Sequence, residues 1–229
     1  MTGTRGRASL GDMDARAWDE RYSAAELVWS AAPNQFVAAE LAGLPPGRAL
    51  DLASGEGRNA LWLAGLGWQV TAVDFSLVGL DKARALQRRH PRGQDLRVDW
   101  VHADVLTYDS GPAPYDLALL AYLQLQADQR QTVVRQAFCS LREGGTLFVV
   151  AHDSTNLTEG TGGPSDASVL FTAEEVLADL DGERFLVERA ERVARAVQSD
   201  VGTHAHPGDG TRTAYDALVR VVRSPDPRR

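Results

Sequence analysis

Cysteine occurs only once in this chain of 229 residues, as Cys139, and this scarcity excludes an internal disulfide and a cysteine-rich zinc site. No apolar run approaches the ~20 residues that a membrane-spanning helix requires, and no hydrophobic signal segment opens the chain. The formal net charge of −7 argues against a nucleic-acid partner, because phosphate binding needs a basic surface. We therefore expect a soluble cytoplasmic protein with neither a nucleic-acid nor a membrane partner.

Apolar segments of strand length alternate with segments of helical pattern along most of the chain. Asn34, Ser76 and Thr172 stand where helix N-caps are expected. Helices are predicted at residues 13–25, 34–44, 58–66, 76–90, 127–142 and 172–180, and strands at residues 48–52, 68–73, 96–102, 115–121, 146–151, 188–199 and 211–223. Residues 152–169 are predicted to form a long loop, and Cys139 is predicted to be inert core in the middle of a helix.

The alternation predicts a Rossmann-like, doubly wound α/β fold with a seven-stranded, mostly parallel sheet. The glycine-rich turn at residues 204–210 predicts a hairpin, which makes the last strand antiparallel to the one before it. The length suits one domain, which we place at residues 13–223 with an N-terminal helical lid at 13–44. Residues 1–12 are expected to form a flexible tail and residues 224–229 a frayed end.

The segment Arg48–Ala60, RALDLASGEGRNA, reads as a buried strand, a glycine turn and the first turn of a helix. Glycines let the backbone approach a ligand, and the start of a helix offers unpaired N–H groups. From Gly55 the segment also fits the dinucleotide fingerprint GxGxxG/A, with Asp74 at the distance expected of its acidic partner. Asp51 would face an anionic pyrophosphate in such a site, whereas it suits a ligand with a cationic amino group, as in S-adenosylmethionine (SAM).

The segment resembles motif I of the class I SAM-dependent methyltransferases, (D/E)xGxGxG, with Ala53 in place of the first glycine. The resemblance extends from about Trp18 to Arg223 and implies SAM as the cofactor and S-adenosylhomocysteine as the product. It also implies a role for each of several residues. These are Asp51 for the methionine amino group, Ala53, Ser54, Gly55 and Gly57 for the methionine part, Asp74 for the ribose, Ala103 and Asp104 for the adenine, and Ala121 for the methylthio region. Phe75 is also expected to bind the cofactor.

The stretch Trp18–Tyr22, WDERY, with Trp29 further on, resembles the N-terminal lid of small-molecule methyltransferases in the tellurite-resistance and thiopurine group. The stretch DLASGEGRNALWLA is similar to the pattern DLGCGxGRNxxxLA of that group. The resemblance implies that Arg21 and Tyr22 cover the cofactor. The alternative for Trp18 and Trp29 is a helix that packs its aromatic side chains on the core.

Methyl transfer from a sulfonium needs little covalent help, so no Ser-His-Asp or Cys-His arrangement is expected, and none is evident. A general base is required only if the acceptor atom carries a proton at neutral pH. His152, just after the fifth strand, is the candidate for this base or for orienting the acceptor, and Tyr22 is the second catalytic candidate. His204 and His206 are expected in a solvated turn, and no metal site is predicted.

These observations predict a class I SAM-dependent methyltransferase that acts on a small molecule by in-line displacement. The residues after the fourth strand, LLAYL at 119–123, lack the (N/D)PP(Y/F) motif that amino methylation of DNA bases or glutamine amides would require. The lone cysteine argues against cysteine-dependent methylation of RNA cytosine. Two other interpretations stay open, an NAD(P)-dependent oxidoreductase and a non-catalytic SAM-binding protein, and so does the acceptor atom (S, Se or Te, N, O or C).

Overall fold

The structure is a computed structural model that describes residues 15–28, 30–111, 114–197 and 212–225. Its α-helices are α1 (Ala15–Ser23), α2 (Gln35–Leu41), α3 (Arg58–Gly65), α4 (Leu77–Arg89), α5 (Ala127–Cys139), α6 (Asn156–Glu159) and α7 (Ala173–Asp179). Its strands are β1 (Arg48–Leu52), β2 (Gln69–Asp74), β3 (Val98–His102), β4 (Tyr115–Ala121), β5 (Leu141–His152), β6 (Phe185–Val197) and β7 (Arg212–Arg223). Within these ranges no helix is long and apolar enough to cross a membrane.

These strands form one seven-stranded sheet in the order β3-β2-β1-β4-β5-β7-β6. Strands β1 to β5 pair in parallel, and β7 lies antiparallel between β5 and β6. The predicted fold class and its antiparallel C-terminal hairpin are therefore confirmed. The strand order reverses between β1 and β4, and the carboxyl ends of the strands at such a switch point are where α/β sheets bind ligands.

Apolar side chains cover both faces of the sheet. In β1, Ala49 packs into one hydrophobic cluster and Leu50 into the other. Residues of α2 and α3, such as Leu41 and Leu63, belong to the first cluster, and residues of α5 and α7, such as Phe138, belong to the second. Burial on both faces explains why the parallel strands read as continuous apolar runs in the sequence.

The predicted helix caps form as expected. The Asn34 side chain accepts hydrogen bonds from two backbone N–H groups at the start of α2, and Ser76 accepts one from Gly79 in α4. Thr172 and Glu175 form both halves of a capping box on α7. These local signals fix where the helices begin, and so fix the loops between them.

The boundary between α5 and β5 differs from the prediction of a helix up to residue 142. Helix α5 ends at Cys139, and β5 begins at Leu141. Tyr115 donates its backbone N–H to Ser140, and Leu141 pairs with Tyr115 and is buried. This pairing draws the chain into the sheet before its helical pattern ends. Cys139 is exposed at the end of the helix, so the prediction of a core position for it is wrong.

The predicted loop at residues 152–169 contains the short helix α6 and a 3₁₀ turn at Ala167–Val169. The Asn156 side chain organises this segment, since it accepts a hydrogen bond from Tyr215 N–H at 2.9 Å and donates one to the Gly162 carbonyl at 2.6 Å. Strand β6 begins earlier than predicted, at Phe185, because its first residues pair with the end of β7.

Candidate functional site

The loops after β1, β2, β3, β4 and β5, together with α1, enclose a cavity of about 350 Å³. Cofactor and small-molecule sites commonly measure ~300–1,000 Å³. The predicted site residues that line it are Tyr22, Ala53, Ser54, Gly55, Asp74, Phe75, Asp104, Ala121 and His152. The predicted residues Asp51, Gly57, Ala103 and Arg21 do not line it.

The glycine loop after β1 has a left-handed backbone at alternate residues. Ala53, Gly55 and Gly57 have φ angles of 59°, 56° and 78°. Ala53 therefore has a backbone conformation that glycine adopts without strain but that is unfavourable for a residue with a side chain. A Cβ atom on Gly55 would lie 2.6 Å from the hydroxyl of Tyr22, so only glycine permits this close approach.

Asp51 lies beneath the loop and is 1% exposed. Its Oδ2 and the neighbouring Ser54 Oγ are buried and have no hydrogen-bond partner among the described residues. Burial, reinforced by the nearby carboxylate of Asp74, raises the pKa of Asp51 to about 8, although Arg58 and the N–H of Ala60 act in the opposite direction. A cationic group brought to this carboxyl would compensate the cost of its burial.

Asp74, the last residue of β2, ties the glycine loop to the start of α4. One carboxylate oxygen accepts the N–H of Gly55 at 2.7 Å, and the other accepts the N–H of Ser76 at 2.8 Å. Burial raises the pKa of Asp74, and the two backbone bonds oppose this shift. Each oxygen keeps a second lone pair, so the carboxylate can still accept a hydroxyl.

The opposite end of the cavity lies after β3. Asp104 is exposed, and its Oδ1 accepts the N–H of Leu106 at 2.9 Å. The N–H of Ala103 is donated to the carbonyl of Asp74 and is therefore not free to bind an adenine ring. Phe75 contributes the flat apolar wall of this end.

Helix α1 closes the cavity from above. Tyr22 is 4% exposed, and both it and Trp18 line the cavity. Arg21 packs on Trp18 of the same helix, with its guanidinium 5.0 Å from the Trp18 ring centre. The predicted lid residue Trp29 lies outside the described residues.

Charged side chains anchor this lid to α4 and to the glycine loop. Asp19 accepts the Ser76 hydroxyl at 2.5 Å and the Val78 N–H at 3.3 Å. At the other end of α1, Lys82 donates to the carbonyls of Tyr22 and Ala25, both at 2.5 Å.

Glu56 links the same lid segment to the glycine loop. It is 3% exposed, pairs with Lys82 at 3.1 Å and accepts the Val28 N–H at 3.0 Å. Lys82 and Glu56 carried no functional prediction from the sequence, because their partners lie far away along the chain.

His152 lies at the end of the cavity formed by β4, β5 and β7. Its backbone N–H donates to Gln124 at 2.9 Å, and its ring packs edge-on against Tyr122, with 4.9 Å between ring centres. Its Nδ1 lies 3.3 Å from Oδ1 of Asp216, which is fully buried. Asp216 was missed by the sequence reasoning, since only the register of β5 against β7 brings it beside His152.

The predicted histidine pair His204 and His206 lies outside the described residues. Among the residues that the structure does describe, no group of three or more His, Cys, Asp or Glu side chains is arranged to hold a metal ion.

Comparison with known families finds one match within the chain. Residues 49–145 match the model of a family described as "Methyltransferase domain". This segment runs from β1 to the start of β5 and contains the glycine loop, Asp74 and Asp104. No curated protein matches the chain.

Solved structures similar to this chain include methyltransferases. TehB from Haemophilus influenzae is 18% identical with a TM-score of 0.65, and the match covers 92% of this chain and 67% of that chain. The N-methyltransferase NodS from Bradyrhizobium japonicum WM9, in complex with S-adenosylhomocysteine, is 18% identical with a TM-score of 0.65 and coverages of 93% and 99%. The glycopeptide N-methyltransferase MtfA, complexed with SAM, is 18% identical with a TM-score of 0.59 and coverages of 86% and 89%. At these identities the likeness establishes the fold.

Proposed function

This chain carries a methyltransferase domain on the fold of the class I SAM-dependent methyltransferases, whose cofactor is SAM, and we propose that it methylates a small-molecule acceptor. The observation that carries the proposal is the pair of unpartnered buried oxygens, on Asp51 and Ser54, beside a left-handed glycine loop. We further propose that the enzyme works in the cytoplasm, without a nucleic-acid or membrane partner.

The residues of the cavity fit SAM. Asp51 and Ser54 would satisfy their free oxygens on the methionine amino group, directly or through water, and the loop at Gly55 would let the methionine part approach the backbone. Asp74 would accept the ribose hydroxyls with its remaining lone pairs, and Asp104 would accept from the adenine amino group. When bound, SAM supplies an electrophilic methyl carbon and a neutral thioether leaving group.

The acceptor belongs at the end of the cavity that contains Ala121 and His152. The lid residue Tyr22 covers the loop from above, so the acceptor is held between the lid and the sheet and is shielded from water. We propose that His152 either accepts the proton of the acceptor or orients the acceptor, and that Tyr22 positions the acceptor.

The topology argues against the oxidoreductase alternative. A dinucleotide-binding domain continues with a sixth parallel strand, whereas here β7 is antiparallel and inserted between β5 and β6. Asp51 also disfavours an anionic pyrophosphate, because burial raises its pKa and a nearby anion would make its ionisation still less favourable, whereas a cationic group would stabilise the ionised form.

Calorimetric titration with S-adenosylhomocysteine, NAD and NADP tests the cofactor. Micromolar binding of S-adenosylhomocysteine alone is expected. Binding of a nicotinamide cofactor in its place would overturn the proposal. Binding of S-adenosylhomocysteine without turnover on thiols, chalcogen oxyanions, amines or hydroxyl compounds would favour the non-catalytic SAM-binding protein.

The variant Asp74→Ala tests the position of the cofactor. It removes charge-assisted hydrogen bonds to the ribose and should weaken S-adenosylhomocysteine binding by ~2–3 kcal/mol. Asp116→Ala is the matched control, since Asp116 also accepts a backbone N–H, from Arg48 at 2.7 Å, but lies at the amino end of β4 and does not line the cavity. If the two variants bind the ligand equally well, the ribose does not lie at Asp74.

A further inference from the structure

A fully buried carboxylate lies behind the acceptor end of the cavity. Asp216 of β7 is 0% exposed. Its Oδ2 accepts the hydroxyl of Tyr122 and Nε of Arg195, each at 2.8 Å. Its Oδ1 faces Nδ1 of His152 at 3.3 Å, and both atoms are buried without a hydrogen bond among the described residues. The two oxygens thus have different roles, one held by fixed donors and one left for the histidine.

The surroundings of Asp216 keep its carboxyl group ionised. Burial acts to raise its pKa, but the nearby His152 ring and the hydrogen bonds from Arg195 and Tyr122 outweigh burial and hold the pKa below the ordinary value. Arg195 comes from β6 and Tyr122 from the loop after β4. The carboxylate of Asp153, the next residue in the chain, accepts the backbone N–H and the hydroxyl of Thr155. Asp216 is therefore the one described carboxylate that contacts the ring of His152.

The ring of His152 is held in one orientation. Tyr122 packs against it edge-on, and a Cβ on Gly163 would lie 2.9 Å from its Cγ. Nδ1 is buried, so the 16% of the side chain that is exposed belongs to the remaining atoms, on a residue that lines the cavity. A neutral imidazole has one N–H and one lone pair. An ionised carboxylate at Nδ1 takes the N–H, which leaves the lone pair on Nε2.

We propose that Asp216 is a positioning residue that fixes His152 as the tautomer with a free Nε2 lone pair, and that the acceptor is therefore a molecule whose nucleophilic atom carries a proton, such as a thiol or a hydroxyl. This rests on the proposed function. The acceptor atom forms a bond to the methyl carbon of SAM, and the sulfonium–methyl bond breaks with its electron pair going to sulfur. The acceptor proton passes to Nε2 of His152 and then to water. A chalcogen oxyanion attacks with an existing lone pair and does not require this base.

Asp216→Asn is the decisive variant because it keeps the shape of the side chain but replaces the acceptor that faces His152 with a donor. Tyr122 and Arg195 are both donors, so the amide oxygen has to occupy the place of Oδ2, and the NH₂ group then faces Nδ1 of His152. His152 must accept at Nδ1 and carries its proton on Nε2. The base is lost while the side chains stay in place.

Nitrogen NMR of the full chain reads the tautomer without any acceptor. Long-range ¹H–¹⁵N spectra of the wild type should show His152, identified by its absence in His152→Gln, protonated at Nδ1, and Asp216→Asn should show protonation at Nε2. Tyr122→Phe is the matched control, since it removes one donor to Asp216 but keeps the carboxylate, so its His152 should stay protonated at Nδ1. The same tautomer in wild type and Asp216→Asn would overturn the positioning role.

Turnover tests the acceptor class. With 2-mercaptoethanol, phenol and selenite as probes, formation of S-adenosylhomocysteine is expected for the thiol or the phenol and should fall by about a hundredfold or more in Asp216→Asn. S-adenosylhomocysteine affinity should stay within about twofold of the wild type, because Asp216 does not line the cofactor end. Turnover of selenite alone, equal in both proteins, would overturn the acceptor class. Failure of the wild type to bind S-adenosylhomocysteine would instead overturn the proposed function and leave the tautomer result standing.

Discussion

Asp51 places a carboxyl group where a negative charge is costly. Its pKa is raised from 3.8 to about 8, first by burial and then by Asp74. A group whose pKa is higher in the folded than in the unfolded state stabilises the fold at low pH, and this stabilisation is lost as the pH rises through the folded pKa. The free energy of unfolding should therefore carry a component that decreases between about pH 4 and pH 8.

Asp51→Asn should remove this component. The variant should be more stable than the wild type near pH 8 by at least ~1 kcal/mol, measured by urea unfolding at several pH values. The exposed Asp99 of β3 provides the control Asp99→Asn, which should keep the pH dependence of the wild type. Parallel stability curves for wild type and Asp51→Asn would contradict the assignment. We propose that Asp51 binds the cationic end of the cofactor, directly or through water, so the same substitution should also weaken S-adenosylhomocysteine binding.

At the scale of elements, α1 contacts α4 and the glycine loop. Lys82 donates to two backbone carbonyls at the end of α1 and to Glu56 in the loop. Lys82→Met should release this end, so hydrogen exchange of the α1 amides should accelerate about tenfold while exchange in β1 and β4 is unchanged. S-adenosylhomocysteine affinity should fall by about three- to tenfold, because Tyr22 no longer lies fixed over Gly55.

Arg84→Met is the control for this prediction. Arg84 is a cation on the same helix, but it bonds to Asp81 and to the carbonyl of Trp100, away from α1. Exchange of the α1 amides should not change in this variant. If both variants accelerate exchange equally, the effect belongs to α4 as a whole and Lys82 is not an anchor of the lid.

Across the whole molecule, local signals predicted the fold well. The strands Arg48–Leu52 and Tyr115–Ala121 have their predicted bounds, because their apolar runs and flanking turns are contained in a few neighbouring residues. The α5–β5 boundary was wrong because it is decided by the pairing of Leu141 with Tyr115. The glycine loop after β1 could be predicted, since one short segment contains it. Asp216 and Lys82 could not, because each becomes meaningful only through partners far along the chain.

The prediction of a single domain at residues 13–223 can be tested on the intact chain. Glu40 of α2 pairs with Arg189 of β6 and Arg220 of β7, so the N-terminal helices are tied to the C-terminal hairpin across the segment that matches the methyltransferase family. Scanning calorimetry should therefore give one transition, with equal calorimetric and van't Hoff enthalpies. S-adenosylhomocysteine at a hundred times its Kd adds ~2.7 kcal/mol to the free energy of unfolding. It should therefore raise the midpoint of the whole transition by about 5–10 °C, whereas NAD should not change it. Two transitions, of which the ligand shifts only one, would show that the lid and hairpin unfold apart from the methyltransferase segment, and the single-domain prediction would then be wrong.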